Sequence, residues 1–179
     1  MRVIRIRASH PDDGPALREI ERQASQQFRQ IGMDSIADDE PLSEAELATY
    51  AIGARSWIAI DASDRPVAYA LADEVDGNAH LAQISVLPEA QGQGVCRALL
   101  ERVRAWAMAA NCPAITLTTF SEVPWNRPLY EHLGFVVLSE EEIGPELQTV
   151  RRDESDRGFD PATRVCMDVS TSVRMILER

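Results

Sequence analysis

Ile84-Ser85-Val86-Leu87-Pro88-Glu89-Ala90-Gln91-Gly92-Gln93-Gly94-Val95-Cys96-Arg97-Ala98-Leu99-Leu100 changes its period midway. The residues before Pro88 read as a strand. After the glycines, Val95, Leu99, Val103 and Trp106 recur on one side of a helix expected to run to about Ala110. Two glycines between these elements let the backbone bend without steric penalty and approach a ligand closely. The first amides of a helix have no intrahelical partners and sit at its positive end, which favours an anion such as pyrophosphate. A glycine pair in this position also suits a plain helix cap with no ligand. The two familiar nucleotide loops do not fit: Arg97 stands where GxGxxG needs its third glycine, and GxxxxGK[ST] needs a lysine.

Lysine is absent from the whole chain, so all 18 basic residues are arginine. This removes a lysine Schiff base and the lysine-dependent phosphoryl transferases, whose chemistry arginine cannot supply. Twenty-nine acidic residues bring the net charge to −11, which disfavours a sequence-independent grip on nucleic acid. A chain of 179 residues buries roughly 70% of its unfolded surface and needs no metal or disulfide to hold a core. Cys96, Cys112 and Cys166 are odd in number and widely spaced, and His10, His80 and His132 show no ligand spacing, so no metal is expected. No charged-then-apolar leader precedes the first strand, and no apolar run reaches the roughly 18 residues of a membrane span. A cytoplasmic protein with no membrane partner is expected.

Outward from the glycine turn, Val3, Ile4 and Ile6 suggest a short first strand, and Pro11 to Pro15 open a helix. Leu17, Ile20, Ala24 and Phe28 give that helix one buried face, with Glu21 placed roughly across from it. Residues 32–41 read as an acidic loop, and Ser43 with Glu46 three residues on forms a capping box for a second helix. Trp57-Ile58-Ala59-Ile60 and Val67-Ala68-Tyr69-Ala70-Leu71-Ala72 form a hairpin around a turn-rich hexapeptide. After the turn Asp76-Gly77-Asn78, a third strand is expected over 81–87, which leaves His80 exposed beside the turn. A strand over 115–120, a short helix over 124–133 stopped by Gly134, a strand over 135–138, a helix from near Pro145 and a strand around Val165 follow. The order predicts a mixed sheet flanked by helices, as one domain over 1–179 with a tail from about residue 168.

The spacing Gln91, two residues, Gly94, one residue, Cys96 resembles the acetyl-CoA signature of the GNAT N-acetyltransferase superfamily. Cys96 replaces the usual glycine or alanine. Downstream, Asn126, Leu129-Tyr130 and Leu133-Gly134-Phe135 are similar to that family's later motif. The resemblance covers the middle of the chain, from Trp57 to Phe135, and implies an α/β fold with a mostly antiparallel central sheet. It implies acetyl-CoA as co-substrate, with the amides of Gln91, Gly92, Gln93, Gly94, Val95 and Cys96 cradling the pyrophosphate. Arg97 assists a phosphate or is a solvent-facing helix residue. Backbone groups of Ile84, Ser85 and Val86 would pair with the pantetheine arm. Asn126 would touch the cofactor, or simply cap a helix, and Tyr130 would protonate the leaving sulfur, or simply pack in the core.

Acetyl transfer to an amine needs a donor to the developing oxyanion, for which an amide near Val86 is the family-like candidate, and an acid for the sulfur. The ammonium must also lose a proton. Many family members carry a glutamate where this chain has Gln83, and an amide cannot take that proton usefully, which leaves His80, Glu21 or water as the base. A nucleophilic Cys96 with a lowered pKa at the helix start is disfavoured by its place in the phosphate turn. The acceptor implied is a primary amine on a small molecule or peptide, steered by Asp34, Asp38, Asp39, Glu40, Glu44 and Glu46 if that acidic segment is more than a solvated face. A homodimer is expected only because relatives commonly form one. The alternative is a non-catalytic acyl-CoA-binding sensor of the same fold, which Gln83 and Cys96 would suit.

Overall fold

A computed structural model describes residues 4–173. Among these residues seven strands hydrogen-bond in the order β1-β2-β3-β4-β5-β7-β6. They are β1 (Arg5–Ala8), β2 (Ser56–Ile60), β3 (Pro66–Val75), β4 (Asn78–Val86), β5 (Ala114–Phe120), β6 (Val136–Val137) and β7 (Arg164–Ser170). The helices are α1 (Gly14–Ser25), α2 (Asp34–Ala37), α3 (Glu44–Ile52), α4 (Val95–Ala109), α5 (Arg127–His132) and α6 (Pro145–Asp156). The expected class, a mixed and mostly antiparallel sheet with helices, is the one observed: β1–β2, β2–β3, β5–β7 and β6–β7 are antiparallel, and β4 meets β5 in parallel. Among the described residues no helix is long and apolar enough to cross a membrane.

The chain divides into two compact units, Met1–Ala72 with Ala82–Arg102 and Asp73–Leu81 with Val103–Arg179. In the first unit Leu17, Ile20 and Ala24 bury one stripe of α1, and Val95, Leu99 and Leu100 begin the buried side of α4. Every residue from Val67 to Ala72 is buried, so β3 is covered on both faces and does not alternate. The helix expected to reach Phe28 ends at Ser25 and tightens into a 3-10 stretch, Gln26–Ile31, before Gly32 stops it with φ +75°. The acidic loop is not all loop. Residues 34–37 make one helical turn, α2, with Ala37 buried and the Ala37 amide donating to the Met33 carbonyl. The capping box is as expected: Ser43 Oγ accepts from the Glu46 amide, and the Glu46 carboxylate accepts from the Ser43 amide at 2.8 Å.

In the second unit the turn is a two-residue one. Asp76 and Gly77 both take positive φ, +51° and +72°, as a tight hairpin whose twist matches its strands requires. The strand after it therefore begins at Asn78, three residues earlier than expected. The Asp76 side chain also caps α6, where its carboxylate accepts from the Glu146 and Leu147 amides at 3.0 and 2.9 Å. Gly144, the residue before α6, has no side chain for this, and a Cβ there would collide with the Asp76 carboxylate. Val75, Ile143, Leu147 and Cys166 form the core beneath α6. The C-terminal tail expected from about residue 168 is corrected, because Asp168, Val169 and Ser170 pair with Thr116, Ile115 and Ala114 and complete β7. Val3 in the expected first strand, and the tail beyond residue 173, lie outside the described residues.

Candidate active site

The glycine turn belongs to the first unit. Gly92 and Gly94 have φ of +69° and +76°, and nothing lies within 4 Å of where a Cβ would stand on either. Space alone would admit a side chain; the backbone conformation is what requires glycine. The first i→i−4 bond of α4 runs from the Ala98 amide to the Gly94 carbonyl at 3.0 Å. The amides of Val95, Cys96 and Arg97 therefore precede the helical ladder, at the positive end of a 15-residue helix. Gln91 Nε2 donates to the Val86 carbonyl at 3.2 Å and Gln93 Nε2 to the Glu89 carbonyl at 2.7 Å, so both side chains tie the turn to the backbone that precedes it. Open space, glycine backbone and a helix start together fit a diphosphate. Arg97 and Cys96 are half-buried, and burial pushes the Cys96 thiol up to about 12. The direction is opposite to the lowered pKa considered for a thiol at a helix start: desolvation by burial raises it, which favours the neutral thiol.

A polar cluster lies in the same unit, on one face of β3 and β4. The hydroxyl of Tyr69, fully buried on β3, donates to the Glu21 carboxylate on α1. On β4, Gln83 Nε2 donates to Ser85 Oγ at 3.0 Å, and both side chains act to lower the Tyr69 pKa against the larger effect of burial. Burial first, then the Glu21 charge, holds the Tyr69 hydroxyl well above its ordinary pKa, so it is a donor at neutral pH. Glu21 is not on the solvated side of α1. It follows Leu17 by four residues and precedes Ala24 by three, which puts it on the buried stripe. Tyr69 was missed in the sequence. The signal was present: a phenol inside the apolar run of residues 67–72 must find a partner when buried.

His80 also departs from expectation. It is 4% exposed, because the two-residue turn makes it the third residue of β4 rather than a residue beside a loop. It lies in the second unit, where its Nδ1 meets Thr116 Oγ1 at 3.0 Å, and burial keeps the imidazole below its ordinary pKa. Asn126 occupies the position before α5 without a side-chain capping bond; its backbone carbonyl accepts from the Leu129 and Tyr130 amides at 3.0 and 3.2 Å. Tyr130 is buried on α5, edge-on to Phe135 with ring centroids 5.6 Å apart. The acidic segment is partly neutralised in place: Arg29 pairs with Asp34 and Asp38, and Arg18 and Arg22 both pair with Glu40. Glu46 is occupied in the capping box. Exposed pairs of this kind add little stability, but they weaken a long-range field on a cation.

The model of the acetyltransferase (GNAT) family matches residues 16–135, about two thirds of the chain. Among solved structures the chain is similar to the ribosomal-protein-S18-alanine N-acetyltransferase from Escherichia coli, with 22% identity over 96% of both chains and a TM-score of 0.64. It is similar to the PaiA N-acetyltransferase from Thermoplasma acidophilum, solved in complex with coenzyme A, with 14% identity over 94% of this chain and 99% of that one and a TM-score of 0.70. A third similarity is to the N-acetylglutamate synthase from Neisseria gonorrhoeae, complexed with coenzyme A and N-acetyl-glutamate, with 17% identity, a TM-score of 0.68, and 94% of this chain covering 35% of that one. At these identities the structural likenesses speak for the fold alone, while the family match spans both the glycine turn and the Asn126–Tyr130 motif: the chain belongs to the GNAT acetyltransferase family.

Proposed function

We propose that this chain is a single acetyl-CoA-dependent N-acetyltransferase domain that moves an acetyl group to a primary amine of a small molecule or peptide by direct attack. The observation that carries this reading is the glycine turn: two positive-φ glycines with open space above them, leading into the first amides of α4. The amides of Gln91, Gly92, Gln93, Gly94, Val95 and Cys96 receive the pyrophosphate, with Arg97 beside them, and backbone groups of Ile84, Ser85 and Val86 receive the pantetheine arm. An amide near Val86 stabilises charge on the carbonyl oxygen. Asn126 contacts the co-substrate, and the Tyr130 hydroxyl gives its proton to the departing sulfur. A thiol held at about 12 at Cys96 supports direct attack over an acyl-enzyme. The net charge of −11 favours an amine acceptor over nucleic acid or an anionic membrane surface.

Two measurements test the reading. Calorimetry with acetyl-CoA is expected to give a one-site isotherm, and thiol release against a panel of primary amines is expected to find turnover. Heat without thiol release on any amine would favour the non-catalytic binder of the same fold, for which Gln83 and Cys96 are the motivating residues. For Tyr130→Phe, turnover is expected to fall about 100-fold with unchanged acetyl-CoA heat. An unchanged rate across the pH range would remove Tyr130 as the acid.

A further inference from the structure

α1 carries Arg18 and Arg22 one turn apart, and two guanidinium groups at that spacing repel unless an anion lies between them. Here the anion is the chain's own. Glu40, from the segment between α2 and α3, accepts from both through a single oxygen, Oε2, with Arg18 Nη2 at 3.2 Å and Arg22 Nη2 at 3.3 Å. The two arginines line a cleft of about 450 Å³ with Pro15 of α1 and with Ser43 and Glu44 at the start of α3, a size that takes a small organic molecule. We infer that this cleft is a binding site for a small monocarboxylate, which Arg18 and Arg22 receive in place of Glu40. None of these residues belongs to the glycine turn, and the binding does not depend on acetyl transfer.

Glu40 identifies the chemistry of the ligand and is poorly suited to keep the place. Its side chain is 75% exposed, and both contacts are longer than the roughly 2.7–2.9 Å of a strong charge-assisted bond. Exposed pairs of this geometry contribute little. Arg18, by contrast, is fixed: its Nη1 donates to the Pro41 and Leu42 carbonyls at 3.1 and 2.6 Å, which leaves Nη2 held where it meets Glu40. Arg164 in the second unit shows what a committed guanidinium looks like, 11% exposed and bonded to both oxygens of Glu154. Charge balance sets the charge of the ligand. Arg18 and Arg22 are matched by Glu40 and Glu44, so a single carboxylate replaces Glu40 one for one, while a second would share the cleft with Glu44.

On binding, the Glu40 side chain moves into solvent, and the two ligand oxygens accept from Arg18 and Arg22, whose planar guanidiniums suit a carboxylate. No covalent bond is made or broken. Because Glu40 competes for the same donors, the apparent affinity is the intrinsic one reduced by the fraction of molecules in which the arginines are open. Removing Glu40 therefore tightens binding, whereas removing an acid elsewhere on α1 does not.

Sodium butyrate and its neutral isostere butyramide are titrated by NMR into the full-length protein without coenzyme A, at constant ionic strength. The wild type is expected to prefer butyrate about tenfold, with saturable shifts at the backbone amides of Arg18, Arg22 and Ser43. Glu40→Gln tightens butyrate about fivefold, because the internal competitor is gone. Glu19→Gln makes an equal change of charge on α1, where Glu19 accepts from Gln23 at 2.7 Å, and leaves the affinity within about twofold. Arg22→Gln, which keeps the Arg18 bonds to Pro41 and Leu42, weakens butyrate about tenfold. Succinate is expected within about threefold of butyrate, and a larger gain overturns the single-carboxylate class. Butyrate that shows no saturation or no preference over butyramide, or a Glu40→Gln effect no larger than that of Glu19→Gln, overturns the site. Acetyl-CoA heat in Arg22→Gln is expected to match wild type; its loss in that variant would give the arginine pair to the co-substrate instead.

Discussion

Each unit of the chain carries a half-buried carboxylate, and the two are held in opposite ways. In the second unit Glu154 faces Arg164 in a fork, with the Thr118 hydroxyl bonded to both and the guanidinium stacked over Phe120 and Phe159 at 4.5 and 5.4 Å. Every part of that cluster has an opposite or complementary neighbour. In the first unit Glu21 accepts from the phenol of Tyr69, a fully buried residue of β3. A charge met by a full opposite charge is fixed for architecture, because its energy depends on the pair staying intact. A neutral donor orients a carboxylate through a hydrogen bond without itself supplying an opposite charge.

The difference can be broken by mutation, beginning with the ion pair. Arg164→Met leaves the Glu154 carboxylate, 15% exposed, without its guanidinium and is expected to cost about 3 kcal/mol, read as a fall in the urea midpoint. Its acetyl-CoA heat at a temperature where the variant is folded should match wild type. Tyr69→Phe removes one charge-assisted hydrogen bond and is expected to cost about 2 kcal/mol by the same measurement. A larger loss at Tyr69 than at Arg164 would mean that the Glu21–Tyr69 hydrogen bond, rather than the ion pair, is the main polar support of the fold.

The smallest effect belongs to His80. Burial holds its imidazole below the ordinary value of about 6.5. Between that value and the lower folded-state one, the unfolded chain binds a proton that the folded chain does not, so stability rises with pH across this window and is lost as the pH falls through it. Glu154 and Asp73 oppose the shift and Arg164 supports it, so the net effect is modest. For His80→Gln, the slope of unfolding free energy against pH between 5 and 7 should be shallower than in wild type. Identical slopes would show that His80 ionises freely in the fold.

Local chemistry was legible wherever it is completed within a few residues. Ser43 and Glu46 satisfy each other's amides across one turn, and Asp76-Gly77 needs only its own backbone to reverse the chain. Gly92 and Gly94 announce a bend that side chains resist. The same reading misplaced Glu21 and His80. For Glu21 the helical period puts 17, 21 and 24 on one face, whereas residue type alone points a charged side chain to water. For His80 the error came from starting the strand three residues late. Tyr69 could be placed in a buried strand, yet its partner Glu21 lies 48 residues back on α1.

By itself the sequence determined the class of fold, the glycine turn with its helix start, and the family to which the Gln91 and Asn126 motifs point, because each rests on period, spacing or backbone freedom within a short stretch. Tertiary structure alone decided which ionisable groups are desolvated and what each one meets. Burial and hydrogen bonding are properties of residues distant in the chain brought together by folding, so the thiol of Cys96, the imidazole of His80 and the Glu21–Tyr69 bond acquired their chemistry only there.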